Sequence, residues 1–133
     1  MVSFTIVGLP ATQGSMRALH HKSTGRIVMM HDSSAKLRGW RRVVSLAGKA
    51  AMIRAGRHPI QGSCELHVSF YLPRPKTVRR ALPDRKPDLS KLVRALEDGL
   101  SNIAFCDDAR IVKIVASKSY GSPPRAEVEV QEL

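Results

Sequence analysis

Between Cys64 and Leu72 apolar and polar residues alternate without a break. Cys64, Leu66, Val68, Phe70 and Leu72 are separated by Glu65, His67, Ser69 and Tyr71. A period of two sends successive side chains to opposite faces of a strand, so the chain is committed to a sheet with one covered face. The flanking sequence supplies the cover. Lys36 to Ala55 carries Leu37, Trp40, Val43, Val44, Ala47 and Ala51 at helical spacing, and Gly56 and Pro59 end it. Arg38, Arg41, Arg42 and Lys49 fill much of the remaining surface of that helix. Leu89 to about Asn102 places Leu89, Leu92, Val93, Leu96 and Leu100 on one helical face, with Asp88 at the N-cap position. Ser3 to Gly8, Gly25 to Met30, Arg110 to Lys118 and Ala126 to Glu132 read as further strands, the last two joined around Gly121-Ser122-Pro123-Pro124. Gln13-Gly14-Ser15 reads as a turn, Met16 to Thr24 as a basic polar stretch, and His31 to Ser34 as cap candidates. The expected order is ββαβαββ: an α+β domain with a small mixed or antiparallel sheet and two main helices.

Charge narrows the partners. Twenty-two Lys and Arg against eleven Asp and Glu give +11 on 133 residues, a size suited to one domain over residues 1–133. Such a surplus points to a polyanion, nucleic acid before membrane. No run of 18 apolar residues exists to span a bilayer, and Met1 to Pro10 lacks the basic leader and long apolar centre of a signal peptide. Cys64 and Cys106 are too few for a disulfide framework, and five scattered histidines without Cys-x-x-Cys argue against structural zinc. A soluble, cytoplasmic, basic protein is expected.

The acids are unevenly placed. Asp84, Asp88, Glu97, Asp98, Asp107 and Asp108 make up six of the eleven, inside one 25-residue stretch. They repel one another and would repel a phosphate, which a divalent cation relieves: Mg²⁺ binds through one or two carboxylates plus substrate phosphates. The plainer reading is a set of solvated surface acids, with Asp88 only a helix cap. On the second helix Ser90, Arg94, Glu97 and Ser101 fall within about 60° of one another, with Lys91 and Asp98 at the edge; ion pairs along the helix would explain that face equally well. Asp107-Asp108 stands just before a strand, where a turn can aim it at the same helix, and neighbouring residues on a strand diverge, so one of the two serves as ligand. Cys106 reads as an idle thiol, His20, His21 and His31 as loop residues, and Trp40 as core. Pro73 to Pro87 holds four prolines and six basic residues, a cationic loop suited to a DNA backbone or simply to solvent.

The segment Lys86-Pro87-Asp88-Leu89-Ser90-Lys91-Leu92, Arg94-Ala95, Asp98-Gly99-Leu100, Asp107-Asp108-Ala109-Arg110-Ile111-Val112 and Lys118 resembles the RusA-type Holliday junction resolvases. The spacing holds without a gap over residues 88–118. Gly8-Leu9-Pro10 and Gln13-Gly14-Ser15 are similar to the N-terminal strand and loop of phage members. The resemblance implies a homodimeric, Mg²⁺- or Mn²⁺-dependent endonuclease that cuts four-way DNA junctions symmetrically, in the cytoplasm of a bacterial host cell. It implies Asp88 and Asp108 as metal-binding acids, Arg94 as the basic active-site residue (normally lysine), Asp98 as the acid before the small-Leu pair, and Lys118 as the lysine of the following strand. One position departs: Ser90 stands where the family has its second essential aspartate.

The expected catalytic set is therefore Asp88, Arg94, Glu97, Asp98 and Asp108, with Asp88, Asp108 and Glu97 on the metal and Glu97 making good the carboxylate that Ser90 lacks. Arg79, Arg80, Arg85, Lys86, Lys91 and Lys118 are the expected DNA contacts. The alternative is a junction-binding protein that cuts weakly or not at all because of Ser90. A single-strand binder fits less well, because three Phe, two Tyr and one Trp offer few stacking platforms.

Overall fold

A computed structural model describes residues 1–13, 16–20, 27–31 and 34–133. The elements run β1 (Val2–Val7), β2 (Met16–His20), β3 (Ile27–His31), α1 (Ser34–Arg54), β4 (Cys64–Leu72), α2 (Leu89–Leu100), β5 (Ile111–Tyr120) and β6 (Arg125–Glu132), with a single 3-10 turn, Asp108–Arg110, before β5. The α+β class and the two helices are as expected. One strand is additional: β2 lies in the stretch read as basic and polar, and it pairs antiparallel with β3 in a sheet of two strands. Gly14, Ser15, His21 and the Asp32-Ser33 cap candidates lie outside the described residues, as do the side chains of His20 and His31.

The main sheet has the order β1-β6-β4-β5. β4 is central, antiparallel to β6 and parallel to β5. Its alternation does what the pattern demands: Cys64, Leu66, Val68, Phe70 and Leu72 are all buried, and the residues between them are half-buried. Val2, Phe4 and Ile6 of β1 and Ala126, Val128 and Val130 of β6 continue the same covered face. α1 and α2 pack on it through Leu37, Trp40, Val44, Ala51, Leu92, Ala95, Leu96 and Leu100. The open face carries Ser3, Thr5, Glu65, His67, Ser69, Glu127 and Glu129, with Lys113 and Arg125 beside Glu65 and Glu127.

β5 and β6 are consecutive yet do not pair, because β4 lies between them. The parallel β4-α2-β5 unit fixes directions along the molecule. Cys64 is level with Ile111 and Leu72 with Tyr120, so both strands run one way while α2 returns between them. The loop Pro73–Pro87 and the start of α2 therefore lie at the carboxyl ends of β4 and β5, and the end of α2 lies at their amino ends. Among the described residues, no helix is long and apolar enough to cross a membrane.

Candidate active site

α2 is amphipathic because Leu92, Val93, Ala95, Leu96, Gly99 and Leu100 take one face, leaving Ser90, Lys91, Arg94, Glu97 and Asp98 on the other. Its last turn is seated closely. A Cβ on Gly99 would stand 2.7 Å from Val44 Cγ1, and Ser45 Oγ donates to the Gly99 carbonyl at 2.7 Å. From there the chain passes through buried Ala104 and Phe105 to Asp107. The two adjacent aspartates then part company. Asp107 Oδ1 accepts from the Ala109 N–H at 3.3 Å and caps the 3-10 turn, which leaves Asp108 to the end of α2.

Three carboxyls feel one another here. Burial pushes the Glu97 pKa up, and the charges of Asp108 and Asp98 push it further against the pull of Arg94. Asp108 is raised by the hydrogen bond it shares with Asp107, then by burial and by the charges of Asp107 and Asp98. Asp107 is lowered by that same bond and by the Ala109 N–H. Arg41 Nη1 stands 3.8 Å from Asp98. In a chain of +11, this is a group of mutually repelling acids at the amino ends of the strands.

Asp88 belongs to the other end. It occupies the N-cap of α2 by backbone, and its carbonyl receives the Lys91 and Leu92 N–H groups at 3.2 and 3.1 Å. Its side chain makes no cap hydrogen bond; Lys91 Nζ lies 3.7 Å away. The carboxylate that sequence made a cap is thus left for other partners. Lys118 sits opposite Phe70 in the ladder, and its ammonium donates to the carbonyls of Arg85 and Pro87, both at 2.8 Å. It pins the turn that carries Asp88. Arg80 Nε and Arg85 Nε stand 3.3 and 3.5 Å from Asp84 Oδ1, and Arg79 and Lys86 are exposed.

The expected metal set is not assembled in one chain. Nine residues of helix at 1.5 Å each separate Asp88 from Glu97 by about 13 Å, whereas oxygens at about 2.1 Å from one Mg²⁺ are only a few ångström apart. Among the described residues, no three Asp, Glu, His or Cys side chains converge closely enough to hold an ion. Ser90 and Glu97 do share a face, yet they lie about 10 Å apart along the axis.

A family model for the RusA endodeoxyribonucleases matches residues 10–131, nearly the whole chain. The chain belongs to the RusA endodeoxyribonuclease family. It is also similar to the uncharacterized protein YqaN of Bacillus subtilis (strain 168), at 28% identity over 147 residues covering 99% of this chain and 96% of that protein. In this RusA-family chain the structure adds one residue the sequence did not single out for the site. Arg41 faces Asp98 from another helix, a long-range pairing that no local spacing announces. Arg74 lies over the Tyr120 ring, 4.6 Å from its centroid. Cys106 Sγ accepts from Arg110 Nε at 3.4 Å.

Proposed function

We propose that this RusA-family chain resolves four-way DNA junctions by divalent-metal-dependent phosphodiester hydrolysis, as a homodimer whose cutting sites are each completed by both protomers. The observation that supports this most is the division of the acids: Asp88 at one end of α2, Glu97 and Asp108 at the other. A two-fold dimer can lay one end against the other twice and so form two equivalent sites. The long β5 edge offers a surface for this, since Val112 and Val115 are 63% and 48% exposed.

The donor chemistry fits Mg²⁺ or Mn²⁺. Glu97 holds its proton more tightly than an ordinary carboxyl because burial and neighbouring acids disfavour its charge, Asp108 does so chiefly through the hydrogen bond it shares with Asp107, and a bound cation would favour the charged form of both. Asp88 of one protomer with Asp108 and Glu97 of the other would hold it. When bound, such an ion polarises the phosphoryl oxygen and lowers the pKa of water. The chain does the rest. Lys118 keeps the Asp88 turn in place, Arg94 offsets charge on the scissile phosphate, and Arg79, Arg80, Arg85, Lys86 and Lys91 hold the flanking backbone. Asp98 is held by Arg41 beside the acids and adds to their negative field.

Purified protein incubated with a labelled four-way junction and a matched duplex, with and without Mg²⁺ or Mn²⁺, tests this. Symmetric, metal-dependent cutting of the junction is expected; a junction left intact in both metals refutes it. The second reading, a junction binder that does not cut, is favoured by one feature: Ser90 is an exposed hydroxyl with Glu97 two turns away. Under that reading Ser90→Asp cuts where the wild type does not.

A further inference from the structure

A cleft of about 580 Å³ opens beside the Asp88 turn, between the end of β1, the start of α1, and the loop after β4. Its walls are apolar and partly aromatic, including Trp40, Leu72, Pro87 and Tyr120. Lys36, Arg80, Arg85 and Lys86 also line it, and among the described residues no acid does. Its size suits a small organic ligand, and the cations on its wall favour an anionic one. Trp40 is only 3% exposed, and its indole N–H meets no acceptor among the described residues. A buried donor of that kind calls for an acceptor from the ligand.

We propose that this cleft receives one unpaired nucleotide of the DNA, its base against Tyr120 above the floor that Trp40 helps to form and its phosphate on Arg85 and Lys86. The inference rests on the reading that the protein acts on branched DNA. Every base has a flat π-face to stack on an aromatic ring and carbonyl or ring-nitrogen acceptors for the indole N–H. Arg74 over Tyr120 extends the stacking surface with a cation. A paired base cannot enter such a cleft without leaving its stack. That step costs least where bases are already unpaired, so the cleft selects branch points over plain duplex. Its position makes the selection useful. Pro87, in the cleft wall, directly precedes Asp88, and its carbonyl is held by Lys118 at 2.8 Å. A nucleotide seated there brings the neighbouring phosphodiester to Asp88, so the base that identifies the branch also sets which bond is presented.

Gly39 gives the means to test it. It lines the cleft on α1, and a Cβ added there meets nothing within 4 Å. Gly39→Leu fills the space while improving helix propensity. The chain has one tryptophan, so its emission reports on the cleft directly. The full-length protein is titrated with a thymidine tetranucleotide in EDTA, and junction and duplex affinities are measured in parallel. The wild type is expected to show quenched Trp40 emission. Gly39→Leu should lose the quench and at least tenfold of the junction preference, with duplex affinity within twofold of wild type. Tyr120→Leu gives the same pattern if Gly39→Leu melts early. Unchanged quenching and junction preference in both variants overturns the proposal. So does a shift of Gly39→Leu from dimer to monomer, which would assign the cleft to a second copy of the chain. Cutting is scored separately. Quenching without metal-dependent cutting keeps the cleft and rejects the nuclease; cutting at the wild-type rate by both variants keeps the nuclease and rejects the cleft.

Discussion

Replacing Lys118 by Met separates two roles that a lysine near DNA can play. Its ammonium donates to the Arg85 and Pro87 carbonyls at 2.8 Å each, so it acts on the Asp88 turn from behind. Hydrogen bonds from a charged donor contribute about 1.5–3 kcal/mol each when shielded. One of these two is exposed and the other only partly buried, and together they are worth about 2 kcal/mol after screening. Losing that amount makes local opening of the turn about 30-fold more frequent. The Lys91 and Leu92 amides are bonded to the Asp88 carbonyl, and their hydrogen exchange should speed up by roughly that factor. Junction cutting should fall at least tenfold, while junction affinity stays within about twofold. The opposite result refutes the reasoning: unchanged exchange at Lys91 and Leu92, with weaker binding and a salt slope reduced by about 0.9, would make Lys118 a phosphate contact.

Further outcomes follow from the same geometry. Folding raises the Glu97 pKa, so the stability this group contributes is full below the ordinary glutamate value and is lost as pH rises through the raised one. Melting scans in EDTA should show that decline, Glu97→Gln should reduce it and raise the neutral-pH Tm, and Mg²⁺ should raise the wild-type Tm more than that of Glu97→Gln. Gly99→Ala forces a methyl into Val44 Cγ1 and Cβ at 2.7 and 3.0 Å; overpacking of about 1–2 kcal/mol beyond the gain in helix propensity should lower Tm by about 5 °C. Reversing charge at Arg79, Arg80 and Arg85 should flatten the dependence of junction affinity on salt, since fewer counterions are released; a slope equal to wild type would remove the loop from the interface.

How far the sequence could be read depended on the range of the interaction. The β4 alternation and the α2 apolar face are local and periodic, and both elements sit within two residues of their expected limits. β2 has no such signal: Met-Arg-Ala-Leu-His does not alternate, and its strand character comes from pairing with β3. The position of β4 between β5 and β6 depends on contacts between segments some 60 residues apart, which no local pattern encodes. The candidate site was half legible. Reading Ser90, Arg94 and Glu97 by angle placed them on the correct face of α2, but angle carries no axial distance, and the rise of the helix separates Asp88 from Glu97 and Asp108. The role of Lys118 was hidden for another reason, because its partners are backbone carbonyls of Arg85 and Pro87 that have no side-chain signature.

The division of the acids between the two ends of α2 is tested most directly by mixing inactive partners. Asp88→Asn and Asp108→Asn proteins, carrying different tags and produced together, yield a mixed dimer that can be isolated. If each site takes Asp88 from one protomer and Asp108 from the other, the mixed dimer retains one intact site and one doubly altered one. Each parent dimer should then leave a four-way junction uncut in Mg²⁺, while the mixed dimer nicks a single strand. A mixed dimer as inactive as its parents, or an Asp88→Asn dimer that cuts as wild type, would contradict the account.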